Sequence, residues 1–128
     1  MNERPLLNPE NAGVVSLAGE TQFATNGIVS RTLLRTLTCR VVLFGFDEGQ
    51  ELTEHTSTQE ALVQILTGAC EFELDGKAHQ LKAGDLVFMP PNLPHAVKAI
   101  SRFSMLLTLS KPGTSRRPRV QTASAVEA

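Results

Sequence analysis

Three histidines, His55, His79 and His95, are the residues of this chain whose types invite chemistry. His55 follows the turn signal Asp47-Glu48-Gly49, and His95 follows Pro90-Pro91-Asn92-Leu93-Pro94. Both therefore stand at the start of a strand, and strand ends of a small barrel form the mouth through which ligands enter. An imidazole there can donate or accept a hydrogen bond, move a proton or ligate a metal. His79, in Lys77-Ala78-His79-Gln80, has no neighbour of ligand type and is expected on the exposed surface. No nucleophile with a paired base, no glycine-rich phosphate cradle and no carboxylate dyad accompanies them. Glu71, Glu73 and Asp75 alternate away from Cys70, Phe72 and Leu74 and are expected in solvent. Cys39 and Cys70 are too few for a disulfide framework and fall in apolar segments, where a reduced thiol packs as a small hydrophobe.

The elements that position the histidines have a period of two. Phe103, Met105, Leu107 and Leu109 alternate with more polar neighbours, and Arg40 to Phe46, Leu62 to Leu66 and Leu86 to Met89 are short apolar runs. Turn signals separate them at Thr67-Gly68, Asp75-Gly76 and Ala83-Gly84-Asp85, the second being the sharpest hairpin signal. No apolar stripe recurs at helical spacing over three turns. The pattern predicts an all-β, antiparallel sandwich or barrel.

The chain has 128 residues, 41% hydrophobic and 20% charged, which fits one folded domain and excludes wholesale disorder. Its net charge of -1 gives no pull toward nucleic acid or an anionic membrane. With no Trp and no Tyr it lacks an aromatic platform for bases. No run approaches the ~18 apolar residues of a membrane span, and Met1-Asn2-Glu3-Arg4-Pro5 opens no secretory leader, so a cytoplasmic protein is expected. The expected organisation is an arm and first strand over 1–27, a barrel over 28–110, and a flexible basic tail over 111–128.

Two motifs resemble those of the cupin superfamily of antiparallel jelly-roll barrels. Gly84, Pro90 and His95 match the family's second motif, with Asn92 where a glycine is usual and Ala99 where an asparagine is usual. Asn tolerates positive φ better than most residues, so Asn92 can still serve the turn. Gly49, His55 and Gly68 match the first motif, with Ser57 in place of its second histidine. Ala61 stands at the glutamate position and Glu60 lies one residue early. The resemblance implies the jelly roll with a degenerate metal motif, and its functions range from dioxygenases and isomerases to sugar-sensing domains.

Metal-holding members resemble a three-histidine, one-glutamate site, and this chain keeps one histidine from each motif. Strand alternation puts His55, Ser57, Gln59 and Ala61 on one face and Glu60 on the other. A bulge between Ser57 and Ala61 would turn Glu60 inward. The expected metal ligands are then His55, Glu60 and His95, for iron, manganese, nickel or zinc, in a metal-dependent oxygenase or isomerase. Without the bulge only a weak histidine pair remains, and the alternative is a metal-free, non-catalytic ligand-binding or sensing module. The barrel lining, Val63, Ile65, Val97 and Leu107 by alternation, contains no clearly placed arginine, so the expected ligand is small and not highly charged. Ile28 to Phe46 is apolar on both faces after Arg40, which predicts a homodimer through the N-terminal strands.

Overall fold

The computed structural model describes residues 4–113. Nine strands follow one another: β1 (Ile28–Arg35), β2 (Cys39–Phe46), β3 (Glu51–His55), β4 (Glu60–Thr67), β5 (Ala69–Leu74), β6 (Lys77–Lys82), β7 (Leu86–Met89), β8 (His95–Ala99) and β9 (Phe103–Ser110). They make a five-stranded sheet, ordered β1-β2-β9-β4-β7, and a four-stranded sheet, ordered β3-β8-β5-β6. Every ladder is antiparallel. The two sheets face each other as a jelly roll and do not join into one closed hydrogen-bonded ring.

The period of two in the sequence is the cause of the core. Ala61, Val63 and Ile65 of β4 are buried, while Leu62 and Gln64 between them are exposed. Cys70 and Phe72 of β5, Val97 and Ala99 of β8, and Phe103, Met105 and Leu109 of β9 join the same core. Phe46 and Phe103 stack within it with centroids 4.6 Å apart. Each such phenylalanine contributes roughly 1.5–3 kcal/mol of burial free energy.

Two turns show why particular residues were needed. Asp75 and Gly76 have φ of 51° and 82°, the two positive values that a tight β5–β6 hairpin demands. Gly68 has φ of 77°, and a Cβ there would lie 2.2 Å from the Arg102 carbonyl oxygen. That position needs glycine for space as well as for backbone conformation.

Ahead of β1 no strand forms among the described residues. The only helix there is α1 (Leu17–Glu20), a single turn capped by Ser16, whose hydroxyl accepts from the Gly19 N–H at 3.0 Å. The arm is tied down: the Leu6 and Leu7 N–H groups donate to the Thr32 and Leu33 carbonyls of β1. Gln22 and Phe23 pass directly over Gly45 of β2, where no Cβ fits. Thus the outer face of β2 is covered by the chain's own N-terminal segment, which removes the reason for expecting a partner's sheet there. The Asp47 carboxylate fixes this segment by accepting from the Asn26 N–H at 2.8 Å, and its hydrogen bonds to Asn26 and Glu48 hold its pKa below the usual value.

His79 departs from expectation. It pairs with Phe72 across β5–β6, so both side chains lie on the inner face, and its Nδ1 is buried with no hydrogen-bond partner among the described residues. Exposed apolar side chains are spread over the surface, Val14 and Leu37 among them, but three lie together: Leu62, Leu86 and Phe88 share the outer face of β4 and the edge strand β7. No described helix is long and apolar enough to cross a membrane. Residues 114–128, most of the expected basic tail, lie outside the described residues.

Candidate functional site

His55 and His95 are direct cross-strand partners on β3 and β8. Their ring centroids are 4.2 Å apart, with the planes inclined by 58°. A register shift between Leu52 and His55 makes the pairing possible. From Leu52, whose side chain faces the cavity, strict alternation would turn Glu54 inward and His55 out. One extra residue in β3 reverses this, so Leu52 and His55 both line the cavity. A bulge therefore exists beside the site, but it lies before His55 and aims His55 rather than Glu60.

Each imidazole is held by a backbone carbonyl two residues earlier in the chain. His55 Nδ1 lies 2.8 Å from the Thr53 oxygen, and His95 Nδ1 lies 2.9 Å from the Leu93 oxygen. A carbonyl only accepts, so each Nδ1 carries the proton and each Nε2 is left for a ligand. The approach to His95 is set by Asn92, which takes φ of 68° in the turn where the resemblance places glycine. The Asn92 N–H donates to the Ser57 carbonyl at 2.7 Å, joining the two motif segments at the mouth.

Between the sheets lies a cavity of about 320 Å³, at the lower end of the range for small-molecule sites. Phe72, Val63, Val97, Leu107 and Met105 make its apolar wall, and His55, His95, Ser57 and Gln59 its polar rim. Ile65, expected in the lining, is buried in the core without reaching the cavity. Arg40, expected nowhere in the interior, does line it. Its position follows from alternation along β2, since residues 40, 42, 44 and 46 share the inner face.

Glu60 is not brought to the histidines. Ser57, Gln59 and Ala61 all face the cavity in unbroken alternation, so no bulge intervenes and Glu60 falls on the other face, paired with Ser110 of β9. Among the described residues no three His, Cys, Asp or Glu side chains cluster closely enough to hold a metal ion. Two imidazoles without a carboxylate do not fit a tightly held first-row metal. Cys70 offers no alternative chemistry. Burial, with a smaller contribution from the charge of Asp85, pushes its thiol up to about 11, so it stays protonated at neutral pH.

A jelly roll with an apolar cavity and histidines in its lining has the architecture of a cupin. The family model described as "Cupin domain" matches residues 42–109, and the chain belongs to the cupin family. A conserved protein of unknown function from Streptococcus pyogenes is 33% identical over 87% of this chain and 97% of its own, with a TM-score of 0.74. A cupin superfamily protein from Desulfitobacterium hafniense shares 22% identity over 88% and 100% of the two chains, TM-score 0.74. A cupin 2 conserved barrel domain protein from Leptotrichia buccalis shares 33% identity over 73% of this chain and 46% of its own, TM-score 0.70. No curated protein matches the chain.

Proposed function

We propose that this cupin binds a small organic molecule in the cavity between its sheets, and that it does so without a resident metal. The observation that carries the reading is the largely apolar cavity between the sheets, with His55 and His95 in its lining. An apolar wall with a few convergent polar groups is the usual form of a small-molecule site. The paired imidazoles supply orientation: with each Nδ1 engaged by a carbonyl, the Nε2 atoms meet the ligand. Elemental analysis of the purified protein tests the metal-free part. Substoichiometric iron, manganese, nickel and zinc is the expected result, and one tightly held equivalent of any of them overturns it.

A second reading is a metal-dependent oxygenase or isomerase with His55, Glu60 and His95 as ligands. What favours it is the carbonyl-fixed Nδ1 of both histidines, an arrangement common where the other nitrogen ligates a metal. It requires Glu60 to leave its position opposite Ser110, or a bound ligand to supply the missing oxygen donor. We further propose a homodimer, through Leu62, Leu86 and Phe88 rather than the N-terminal strands, because these are apolar, exposed and at a sheet edge. Light scattering at micromolar concentration that shows a clean monomer overturns this assembly.

A further inference from the structure

We propose that Arg40 is an anion-binding residue, and that the cavity takes a small organic monocarboxylate whose apolar body fills the aliphatic and aromatic wall. The proposal rests on reading the cavity as a small-molecule site and names the class of molecule it takes.

Arg40 is the second residue of β2 and lines the same cavity as His55 and His95. Across the five-stranded sheet at that level the partners run Arg35, Arg40, Leu109, Ala61, Met89. This row contains two guanidinium groups side by side and no carboxylate. Arg40, Leu109, Ala61 and Met89 all line the cavity, with Arg35 exposed beside them. Neither Arg35 nor Arg40 is ion-paired with a described residue, whereas Arg31 pairs with Glu20 at 2.7 Å and Arg102 reaches Asp47 at 3.4 Å.

Two like charges directly opposite on neighbouring strands repel, and a partly buried charge facing an apolar wall is costly until it is paired. Both penalties are relieved by an anion seated at Arg40. The guanidinium fork matches the planar, bidentate geometry of a carboxylate. Arg40 is the only Lys, Arg, Asp or Glu in the cavity lining among the described residues. Beyond it and the rim of His55, His95, Ser57 and Gln59, the lining is apolar, with Phe44, Phe72, Leu93, Val97 and Leu107 among it, which suits one anionic group on an apolar body. The carboxylate then lies on the wall of the five-stranded sheet, and the histidine pair faces it from the four-stranded sheet.

The test is calorimetric titration of the full-length protein with benzoate, its neutral counterpart benzamide, and phenyl phosphate. The expected result is benzoate binding at least about tenfold more tightly than benzamide. In Arg40→Gln the benzoate preference disappears while benzamide affinity holds. Arg40→Lys keeps the charge but not the fork, and retains only part of the preference. Equal binding of benzoate and benzamide, or a preference that survives intact in Arg40→Gln, overturns the role of Arg40 while leaving the cavity a small-molecule site. Phenyl phosphate binding more tightly than benzoate overturns the monocarboxylate class. Failure of all three probes to bind at millimolar concentration overturns both this proposal and the reading it rests on. Should Arg40→Gln fail to fold, Arg40→Lys decides alone: an unchanged preference sinks the guanidinium fork.

Discussion

His55 and His95 meet across the β3–β8 ladder, their rings tilted against each other, because β3 carries one more residue than its partner between Leu52 and His55. The bulge inserts an imidazole where strict alternation would bring Glu54, and the Thr53 carbonyl it exposes captures His55 Nδ1. The pair is thereby built from backbone geometry on both sides, with no partner for either Nε2 among the described residues. Ser57 follows on the same face, at the place where the family resemblance puts a further histidine.

That relationship predicts a gain of function. Ser57→His should add a third inward imidazole and tighten nickel or zinc binding by roughly a hundredfold over the parent protein, about 2.7 kcal/mol. Calorimetric titration with each metal measures it. Equal affinity in parent and variant would mean that position 57 cannot reach the pair.

His95 should be dispensable for folding. Its ring is only partly buried and its one recorded hydrogen bond is to the nearby Leu93 carbonyl. His95→Ala is expected to cost under about 1 kcal/mol in urea unfolding. A variant that does not fold would make the residue a structural histidine and remove it from the site.

The jelly roll was legible because alternation, turn glycines and Asp75-Gly76 all depend on local rules. The histidine mouth was legible for the same reason, and Asn92 takes the positive φ that its place in the motif asks of it. The bulge was misplaced because the side-chain types of Thr53-Glu54 and Thr56-Gln59 do not differ enough to locate one extra residue. Arg40 was missed although alternation back from Phe44 and Phe46 puts it inside; its charge argued for solvent more strongly than its register argued for the cavity. The inward position of His79 is not legible from its lack of ligand-type neighbours, since its register with Phe72 depends on a strand pairing that a single sequence does not display.

Gly68 and Gly49 should separate the two reasons for a turn glycine. Both have positive φ, but a Cβ at Gly49 meets nothing, whereas one at Gly68 runs into the Arg102 carbonyl and Phe103. Gly49→Ala is expected to cost about 1–2 kcal/mol, from backbone conformation alone. Gly68→Ala should cost at least about 3 kcal/mol or abolish folding, because backbone must move as well. Similar thermal midpoints for the two variants would show that the β4–β5 turn yields easily.

Cys70 should limit stability in alkali. Folding raises its thiol from the ordinary value of 9.0 to about 11, because burial disfavours the thiolate. The native state therefore prefers the protonated form, and this contribution is complete below pH 9 and lost as pH rises through about 11. In Cys70→Ala the fall of the denaturation midpoint between those pH values should be shallower, although the variant starts lower for want of core volume. Parallel pH profiles of parent and variant would remove the thiol as the cause.

His79 offers a stabilising substitution. Its side chain lies on the inner face beside Phe72, and its Nδ1 is sealed from solvent with no acceptor or donor among the described residues. A buried polar atom left unsatisfied costs about 1–3 kcal/mol, whereas an apolar side chain of similar size at the same place has no such penalty. Neighbouring Leu81 on the same face of β6 already packs against the core, so a leucine at 79 extends that surface inward. His79→Leu should raise the urea midpoint without changing the slope, a gain of about 1 kcal/mol. Loss of more than about that amount would show that the imidazole is bonded in solution, through a bound water or a molecule entering the cavity.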